Sequence, residues 1–463
     1  MSITLLAINW SSVGLKVAQL LLSLSILVIL HEFGHYITAK WFKCRVEKFY
    51  LFFDPWFSIF KKKIGETVYG IGWLPLGGYV KIAGIVDESM DKEALKQPPQ
   101  PWEFRSKPAW QRLIILLAGV TVNVLLAFVI YAMILMVWGE KKIPNDSVKN
   151  GVWITDSLMY DIGLRNGDKI LSVNDKEIKY FEEIPKRILF GGGTSLKVNR
   201  NGVDTTINIP IAIIGKLVEK KRSKAPLLMQ RIPAMVGEFD PKDTSNARKS
   251  GMQYRDKIVK VDSVPVEFMD DLMAYIDNKK NEKVTLTVMR NNAPVALTAL
   301  VNENGKLGTP FLKDTQYDSL GYYKIEKKTY GFFEAFPAGF SLAVNSLKDY
   351  IEQFKLIFKP STGAYKGVGG FKTMGSIFSG DQWDWQSFWN ITAFFSIILA
   401  FMNLLPIPAL DGGHVLFTLG EMITGRKPNE KFLEYAQIFG MVVLLALMLY
   451  ANGNDWFGWG KGK

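Results

Sequence analysis

The sequence LKVAQLLLSLSILVILHEFGH, residues 15–35, ends a long apolar run with a cluster of polar side chains. Residues 15–30 carry one charge, on Lys16, and no turn signal separates them from His31. With the residues that flank it, this run approaches the roughly 20 residues that an α-helix needs to cross a bilayer. The segment therefore predicts a membrane-spanning helix with two histidines and a carboxylate at one end.

Three further segments are long and apolar enough to form membrane helices, namely residues 113–138, 388–410 and 432–450. Pro406 and Pro408 interrupt the second of them. Lys and Arg residues in the connections predict the orientation, because short loops rich in these residues stay in the cytoplasm. Loop 39–108 has 12 basic residues, whereas the two chain ends together have three. We therefore expect both termini and the region 139–385 outside, with loops 39–108 and 411–431 inside.

The composition agrees with a chain that is partly embedded in lipid. Hydrophobic residues make up 48% of the 463 residues, and the 40 glycines bring this total to about 57%. Soluble domains counted in the same way have roughly 45–50%. The single cysteine, Cys44, excludes an intrachain disulfide and a metal site built from several cysteines. The net charge of +12 suits anionic headgroups or an asymmetric membrane protein. No motif predicts a nucleic-acid partner.

An internal repeat organises the region 139–385. The stretch GLRNGDKILSVNDKEIKYFEEI, which begins at Gly163, aligns without gaps with GMQYRDKIVKVDSVPVEFMDDL, which begins at Gly251, at an offset of 88 residues. Each unit predicts strands, a short helix and a closing hairpin. The pattern resembles PDZ domains, which bind extended peptide ends at a sheet edge. A pair that serves only as a spacer or lid is the alternative.

The motif HEFGH at residues 31–35 predicts a metal site. Its two histidines are four residues apart, so both imidazoles lie on one face of the helix and reach the same ion. Glu32 stands beside the first histidine, where it can contact a metal-bound water. The chain has only three histidines, and polar groups inside a membrane are costly and by default functional. We therefore expect His31 and His35 to bind a metal ion.

A catalytic zinc needs a third protein ligand and an open position for water. The segment NLLPIPALDGGH, residues 403–414, offers Asp411 and His414. Its prolines stop a regular helix, and non-helical backbone at membrane depth is tolerated beside protein or a wet cavity. We expect Asp411 to be the third ligand, with His414 as the rival ligand or a structural neighbour.

Together these motifs resemble the site-2 protease family of intramembrane zinc metalloproteases, and the tandem repeat resembles its regulator-of-sigma-E protease branch. The resemblance covers nearly the whole chain and includes WLPLGGYVK at residues 73–81 and FRSKPAWQR at residues 104–112. Two positions depart from the family pattern. Val120 replaces the proline that usually precedes the asparagine matching Asn123, and KGVGGF at residues 366–371 is a looser form of a Gly-Pro-Val-Gly segment. The first departure leaves the role of Asn123 open.

The resemblance implies roles for individual residues. It implies a Zn²⁺ ion held by His31, His35 and Asp411, with Glu32 as the catalytic base and later acid. Asn403 resembles the substrate-positioning asparagine of the family. The enzyme would be a zinc metalloendopeptidase in a bacterial cytoplasmic (inner) membrane, with its active site toward the cytoplasm and the PDZ-like domains in the periplasm.

Aromatic-rich alternating runs after the first helix predict a small sheet with strands at residues 46–53, 57–62, 66–73 and 79–83. The resemblance implies that this sheet re-enters the membrane. Its edge, formed by Gly77, Gly78 and Tyr79, would hold an extended substrate through backbone hydrogen bonds, and an ordinary cytosolic hairpin is the alternative. Farther on, residues 331–358 have the apolar spacing of an amphipathic helix. That helix would lie on the outer leaflet or pack against the repeats.

The predicted fold is a multi-pass α-helical membrane protein with four transmembrane helices, a small reentrant β-sheet and two tandem extracytoplasmic PDZ-like α+β domains. We expect these segments: 1–38, first transmembrane helix with the zinc motif; 39–108, cytoplasmic loop with the sheet; 109–138, second transmembrane helix; 139–225 and 226–325, the PDZ-like domains; 326–385, amphipathic helix and Gly-rich connection; 386–410, third transmembrane helix; 411–431, cytoplasmic loop with the third zinc ligand; 432–463, fourth transmembrane helix and tail.

The predicted function is cleavage of the transmembrane segments of single-pass membrane proteins, such as anti-sigma factors or remnant signal peptides, in regulated intramembrane proteolysis. An earlier cut would remove the outer domain of the substrate, and the PDZ-like pair would act as a size filter or sensor that also accepts peptide C-termini. A non-catalytic membrane adaptor with a peptide-binding PDZ pair is the main alternative. A divalent-metal transporter is less favoured, because a transporter should show broken helices in both halves.

Overall fold

A computed structural model of the protein describes residues 9–75, 77–85, 98–190, 195–219 and 226–460. The chain forms two compact units. One unit contains the described residues up to 139, residues 329–355 and the chain from 365 onward, and the other contains residues 140–328 and 356–364. Leu76 of the 73–81 motif and the basic tail residues Lys461 and Lys463 lie outside the described residues.

The helices of the described residues, numbered along the chain, are α1 (Trp10–Trp41), α2 (Ala109–Trp138), α3 (Ser157–Asp161), α4 (Glu183–Phe190), α5 (Ile213–Glu219), α6 (Asn246–Lys249), α7 (Met269–Ile276), α8 (Asp314–Ser319), α9 (Phe332–Ile357), α10 (Phe371–Ser376), α11 (Trp385–Asn403), α12 (Asp411–Thr424) and α13 (Glu430–Phe457). The strands are β1 (Val46–Leu51), β2 (Phe53–Ile64), β3 (Thr67–Leu74), β4 (Tyr79–Ile82), β5 (Glu140–Lys142), β6 (Val152–Ile154), β7 (Lys169–Val173), β8 (Lys176–Glu177), β9 (Ser195–Arg200), β10 (Val203–Asn208), β11 (Leu228–Gln230), β12 (Lys257–Val261), β13 (Val264–Pro265), β14 (Lys283–Arg290), β15 (Ala293–Leu300) and β16 (Glu326–Lys328).

Within the described ranges, four helices, α1, α2, α11 and α13, are long and apolar enough to cross a membrane, which agrees with the predicted number. The third ends at Asn403 rather than at residue 410, because Pro406 and Pro408 lack the N–H groups that would continue it. The chain resumes as α12 at Asp411. The segment 411–431, expected as a loop, is therefore mostly helix.

Small residues allow α1 and α2 to approach closely. A Cβ atom on Gly34 would lie 2.7 Å from the carbonyl oxygen of Ala118, and one on Gly119 would lie 2.4 Å from His35 Nε2. Helices in lipid gain stability from such close packing, since lipid provides no hydrophobic drive between them. On the other side of α2, the Ser396 hydroxyl of α11 donates to the Asn123 carbonyl at 2.8 Å. Helix α2 is thus held between α1 and α11.

The predicted loop sheet forms from β1 to β4 in the order β2-β3-β1-β4. Strands β1 and β3 are parallel, and the other neighbours are antiparallel. Strand β4 therefore occupies one edge of the sheet. Strand β2 forms the other edge and exposes large apolar side chains, including Trp56 at 90% exposure and Ile59 at 66%.

Helix α9 fits the predicted amphipathic segment and packs on α2 through small residues. The contact includes Ala335 and Ala343, both buried, and a Cβ atom on Gly339 would lie 2.6 Å from the backbone nitrogen of Ala132. The Tyr131 and Ser346 hydroxyls are 3.0 Å apart. Phe333 and Phe340 of the same helix remain exposed.

The second unit contains two four-stranded sheets with the same strand order, β10-β9-β7-β8 and β15-β14-β12-β13. The sequence repeat explains this likeness. Asp168 and Asp256, identical in the alignment, are each 1% exposed, and each accepts a hydrogen bond from an arginine at the end of β9 or β14. These donors are Arg200, at 2.7 Å, and Arg290, at 2.8 Å. The turn that precedes β7 or β12, Gly167-Asp168 in the first copy and Arg255-Asp256 in the second, is thus tied to the central hairpin in both copies.

Candidate metal centre

His31 and His35 lie on one face of α1, as the spacing of the motif predicts. Each residue is 6% exposed, and their Nε2 atoms are 3.3 Å apart. Two imidazole nitrogens this close favour a shared ion.

The fold brings Asp411 to the two histidines. Its Oδ2 atom lies 3.2 Å from His31 Nε2 and 3.3 Å from His35 Nε2. The two positions after Asp411 require glycine because the chain there packs against the preceding turn. A Cβ atom on Gly412 would lie 2.3 Å from the Leu405 oxygen, and one on Gly413 would lie 2.4 Å from Pro408 Cα. The broken helix and the two glycines together fold the chain back so that the carboxylate faces α1.

These three side chains fit a zinc ion. One ligand atom from each lies within 4.8 Å of the others, and Asp411 Oδ2 is buried with no hydrogen-bond partner. Two imidazoles and a carboxylate match the ligands of catalytic zinc sites, which leave a fourth position for water. His414 lines the same cavity. The group of possible ligands found among the described residues consists of His31, His35 and Asp411 and does not include His414.

Both imidazoles are held through the ring nitrogen remote from the cluster. His35 Nδ1 lies 2.8 Å from the Ile115 carbonyl oxygen, so it donates and leaves Nε2 free as a ligand. His31 Nδ1 lies 3.0 Å from the Asn123 amide. Such partners orient metal-binding histidines and fix their tautomer.

Asn123 belongs to this arrangement, although the departure at Val120 left its role open. It is fully buried, and its Oδ1 atom has no hydrogen-bond partner. When His31 Nε2 binds a metal, Nδ1 carries the proton, and the Asn123 amide can then turn its oxygen toward that proton. Gly119 lies one turn earlier on α2 and makes room for both imidazoles. The sequence offered no signal that Gly119 makes room for the imidazoles.

Asn403 ends α11 beside the cluster. Its Nδ2 atom lies 3.2 Å from His31 Nε2. A side-chain amide here can donate to an oxygen held next to the cluster. The structure therefore places Asn403 next to the histidines.

A cavity of about 650 Å³ opens onto the cluster, and Glu32, Gly78 and Tyr79 are among the residues that line it. A Cβ atom on Gly78 would lie 3.5 Å from Glu32 Cγ and 2.8 Å from the Tyr50 oxygen, so the start of β4 is packed against the Glu32 side chain. Gly77 lies against the Phe53 ring, where a Cβ atom would be 3.1 Å away. The edge strand and the carboxylate therefore share one cavity.

Gln437 of α13 also lines this cavity, and sequence reasoning missed it. The available signal was weak: a single amide within the apolar run 432–450.

Comparison with known proteins gives one family over most of the chain. The sequence model of Peptidase family M50 matches residues 19–447. Similar proteins include a candidate zinc metalloprotease of Rickettsia conorii, 28% identical over 453 residues that cover 95% of this chain and 98% of that protein. A candidate zinc metalloprotease of Thermotoga maritima is 26% identical over 505 residues, covering 95% and 98%. The regulator of sigma-E protease RseP of Escherichia coli is 25% identical over 461 residues, covering 95% and 97%.

Proposed function

Because the chain belongs to peptidase family M50 and is a membrane-embedded zinc metalloprotease, we propose that it cleaves the membrane segments of single-pass proteins. The observation that carries this proposal is the meeting of His31, His35 and Asp411 beside Glu32 in one cavity. The first two come from a membrane-spanning helix, and Asp411 follows the break in another. Hydrolysis would thus take place between membrane helices.

We assign His31, His35 and Asp411 as the zinc ligands. Bound zinc polarises the scissile carbonyl and lowers the pKa of water toward 7. The chain's part is to hold the ligands ready, through the Ile115 carbonyl for His35 and the Asn123 amide for His31. Asn123 is therefore proposed as a positioning residue.

Glu32 is the proposed proton carrier. Its carboxylate lines the cavity next to both histidines, so it can accept a proton from the attacking water and later donate it to the leaving amine. Asn403 is proposed to donate its amide N–H to the substrate carbonyl, because its Nδ2 atom lies beside the ligand cluster.

We infer that the sheet unwinds and holds the substrate. A helical membrane segment hides its peptide bonds in internal hydrogen bonds, and an edge strand offers replacement partners. Gly78 and Tyr79 at the start of β4 line the cavity beside Glu32, which supports this role. The exposed apolar side chains of β2, together with Lys61–Lys63, support a sheet that dips into the membrane from the side of the anionic headgroups.

The two repeats are proposed as PDZ-like domains on the outer, periplasmic side of the inner membrane, with the metal centre toward the cytoplasm. There they would admit only substrates whose outer domain an earlier cut has removed, such as anti-sigma-factor-like proteins or remnant signal peptides, and would accept exposed peptide C-termini. Support comes from the loop charges and from the shared strand order of the two sheets.

The test uses the full-length protein purified in detergent with a single-span model substrate. Glu32→Gln should keep its zinc and lose cleavage by at least about 100-fold, because proton transfer contributes roughly 10²–10⁴. Asp411→Ala should lose both zinc and cleavage. Glu303→Gln, at an exposed carboxylate of the other unit, is the matched control and should behave like the wild type. Cleavage by Glu32→Gln at the wild-type rate would refute the proposal.

A further inference from the structure

Gln437 is a buried polar side chain that the chemistry described above does not use. It is 3% exposed, and its Oε1 atom is buried with no hydrogen-bond partner. Leaving such a group without a partner destabilises the fold. It nevertheless lies on the wall of the cavity that holds Glu32 and Asp411.

Packing of α13 fixes the direction of this side chain. A Cβ atom on Gly440 would lie 2.7 Å from the backbone nitrogen of Ala409, so the helix touches the chain that leads to Asp411. Gln437 is three residues earlier and therefore lies on the same face of the helix. The amide is consequently held at the cavity wall.

An extended substrate needs partners on both of its edges. The N–H and C=O groups of a strand point alternately to its two sides. A segment paired with β4 satisfies only the groups on the side of β4. The others face away from β4, and each of them is costly to leave without a partner once the cavity closes around the substrate.

We propose that Gln437 binds the substrate backbone on the side opposite to its contact with β4. Its Oε1 accepts one substrate N–H and its Nε2 donates to a neighbouring C=O, since a side-chain amide provides both functions. The inference deepens the proposed function and rests on it. Because proline has no N–H, a substrate with proline at the position that meets Gln437 is a poorer substrate.

The first experiment compares Gln437→Met with Gln19→Met in the full-length enzyme. Gln19 of α1 is equally buried, at 1% exposure, but its amide donates to the Ser379 carbonyl at 2.8 Å, away from the cavity lining. Gln437→Met should lower kcat/KM about tenfold, since it removes one or two hydrogen bonds, with zinc content and melting temperature unchanged or higher. Gln19→Met should lower the melting temperature and leave kcat/KM unchanged.

The second experiment locates the hydrogen bond. Synthetic single-span peptides each carry one amide-to-ester replacement, which removes one N–H, at successive positions around the cleavage site. At one position the ester should slow the wild type several-fold and leave Gln437→Met unaffected, as a double-mutant cycle between contacting groups requires. At the other positions both enzymes should respond alike.

The outcomes separate the two proposals. If the wild type cleaves the substrate and Gln437→Met has the same kcat/KM, this inference is overturned and the proposed function is not. A lower activity that comes with a lower melting temperature and no coupled ester position assigns Gln437 to packing and also overturns it. Failure of the wild type to cleave any membrane peptide refutes the proposed function and the inference with it.

Discussion

At the scale of single residues, the metal centre depends on groups that do not bind the ion themselves. His31 and His35 use one ring nitrogen each toward the cluster and the other toward α2. For His35 the partner is a backbone carbonyl, which no substitution removes. For His31 it is the Asn123 side chain, so this contact can be tested by mutation.

Asn123→Ala is expected to weaken zinc binding about 10–100-fold, the usual effect of losing the partner of a ligating histidine. Asn123→Asp should restore the affinity, because a carboxylate also accepts the Nδ1 proton. Competition with a chromogenic chelator measures the affinity independently of activity. If Asn123→Ala weakened zinc binding only by leaving a cavity, Asn123→Asp would bind zinc as weakly as Asn123→Ala. That result would contradict the assignment.

Metal removal gives a second prediction at this scale. A ligand that binds only the folded state raises stability by RT ln(1 + [L]/Kd), so a chelator should lower the melting temperature of the wild type. Asp411→Ala should melt at the same temperature with and without chelator. A chelator-dependent shift of equal size in this variant would show that the ion is bound without Asp411.

At the scale of elements, close packing of α1 and α2 leaves room for imidazoles and for little else. Gly119→Ala should lower zinc content and cleavage together, because the added methyl group would meet His35 Nε2 at 2.4 Å and His31 Cε1 at 2.6 Å. Gly14→Ala in α1 is the matched control, since no atom lies within 4 Å of its new Cβ. It should stabilise the helix by about 0.5–1 kcal/mol. Metal analysis and thermal melting distinguish the two, and a fully loaded Gly119→Ala would contradict the packing argument.

How much the sequence foretells differs between elements. Helix α1 is predicted because apolar length and histidine spacing are local properties. Helix α12 is missed because its start depends on the turn of Gly412 and Gly413 against the preceding loop, a contact that no periodicity reveals. Gln437 is missed for a related reason. Helix α13 is apolar around its circumference, so its sequence does not indicate which side faces the cavity. The contact of Gly440 with Ala409, a residue outside the helix, determines that side.

At the scale of the whole molecule, the segment 140–328, which makes up most of the second unit, begins and ends in one ladder. Strands β5 and β16 pair antiparallel, with Lys142 opposite Glu326 and Glu140 opposite Lys328. The two ends of this segment therefore lie side by side. This register allows residues 143–325 to be replaced by Asn-Gly, which favours the tight turn of a two-residue hairpin, while the ladder is kept.

The excised enzyme tests whether the repeats select substrates by size. The wild type should cleave a substrate without its outer domain at least about tenfold faster than the intact one, whereas the excised enzyme should cleave both at similar rates. The reason is that excision removes the proposed filter and leaves the residues that line the metal cavity in place, since these lie in the other unit. Equal zinc content in both enzymes shows that the excised chain has folded around its metal centre. If a zinc-loaded excised enzyme still rejects the intact substrate, discrimination belongs to the membrane unit, and the repeats have another role.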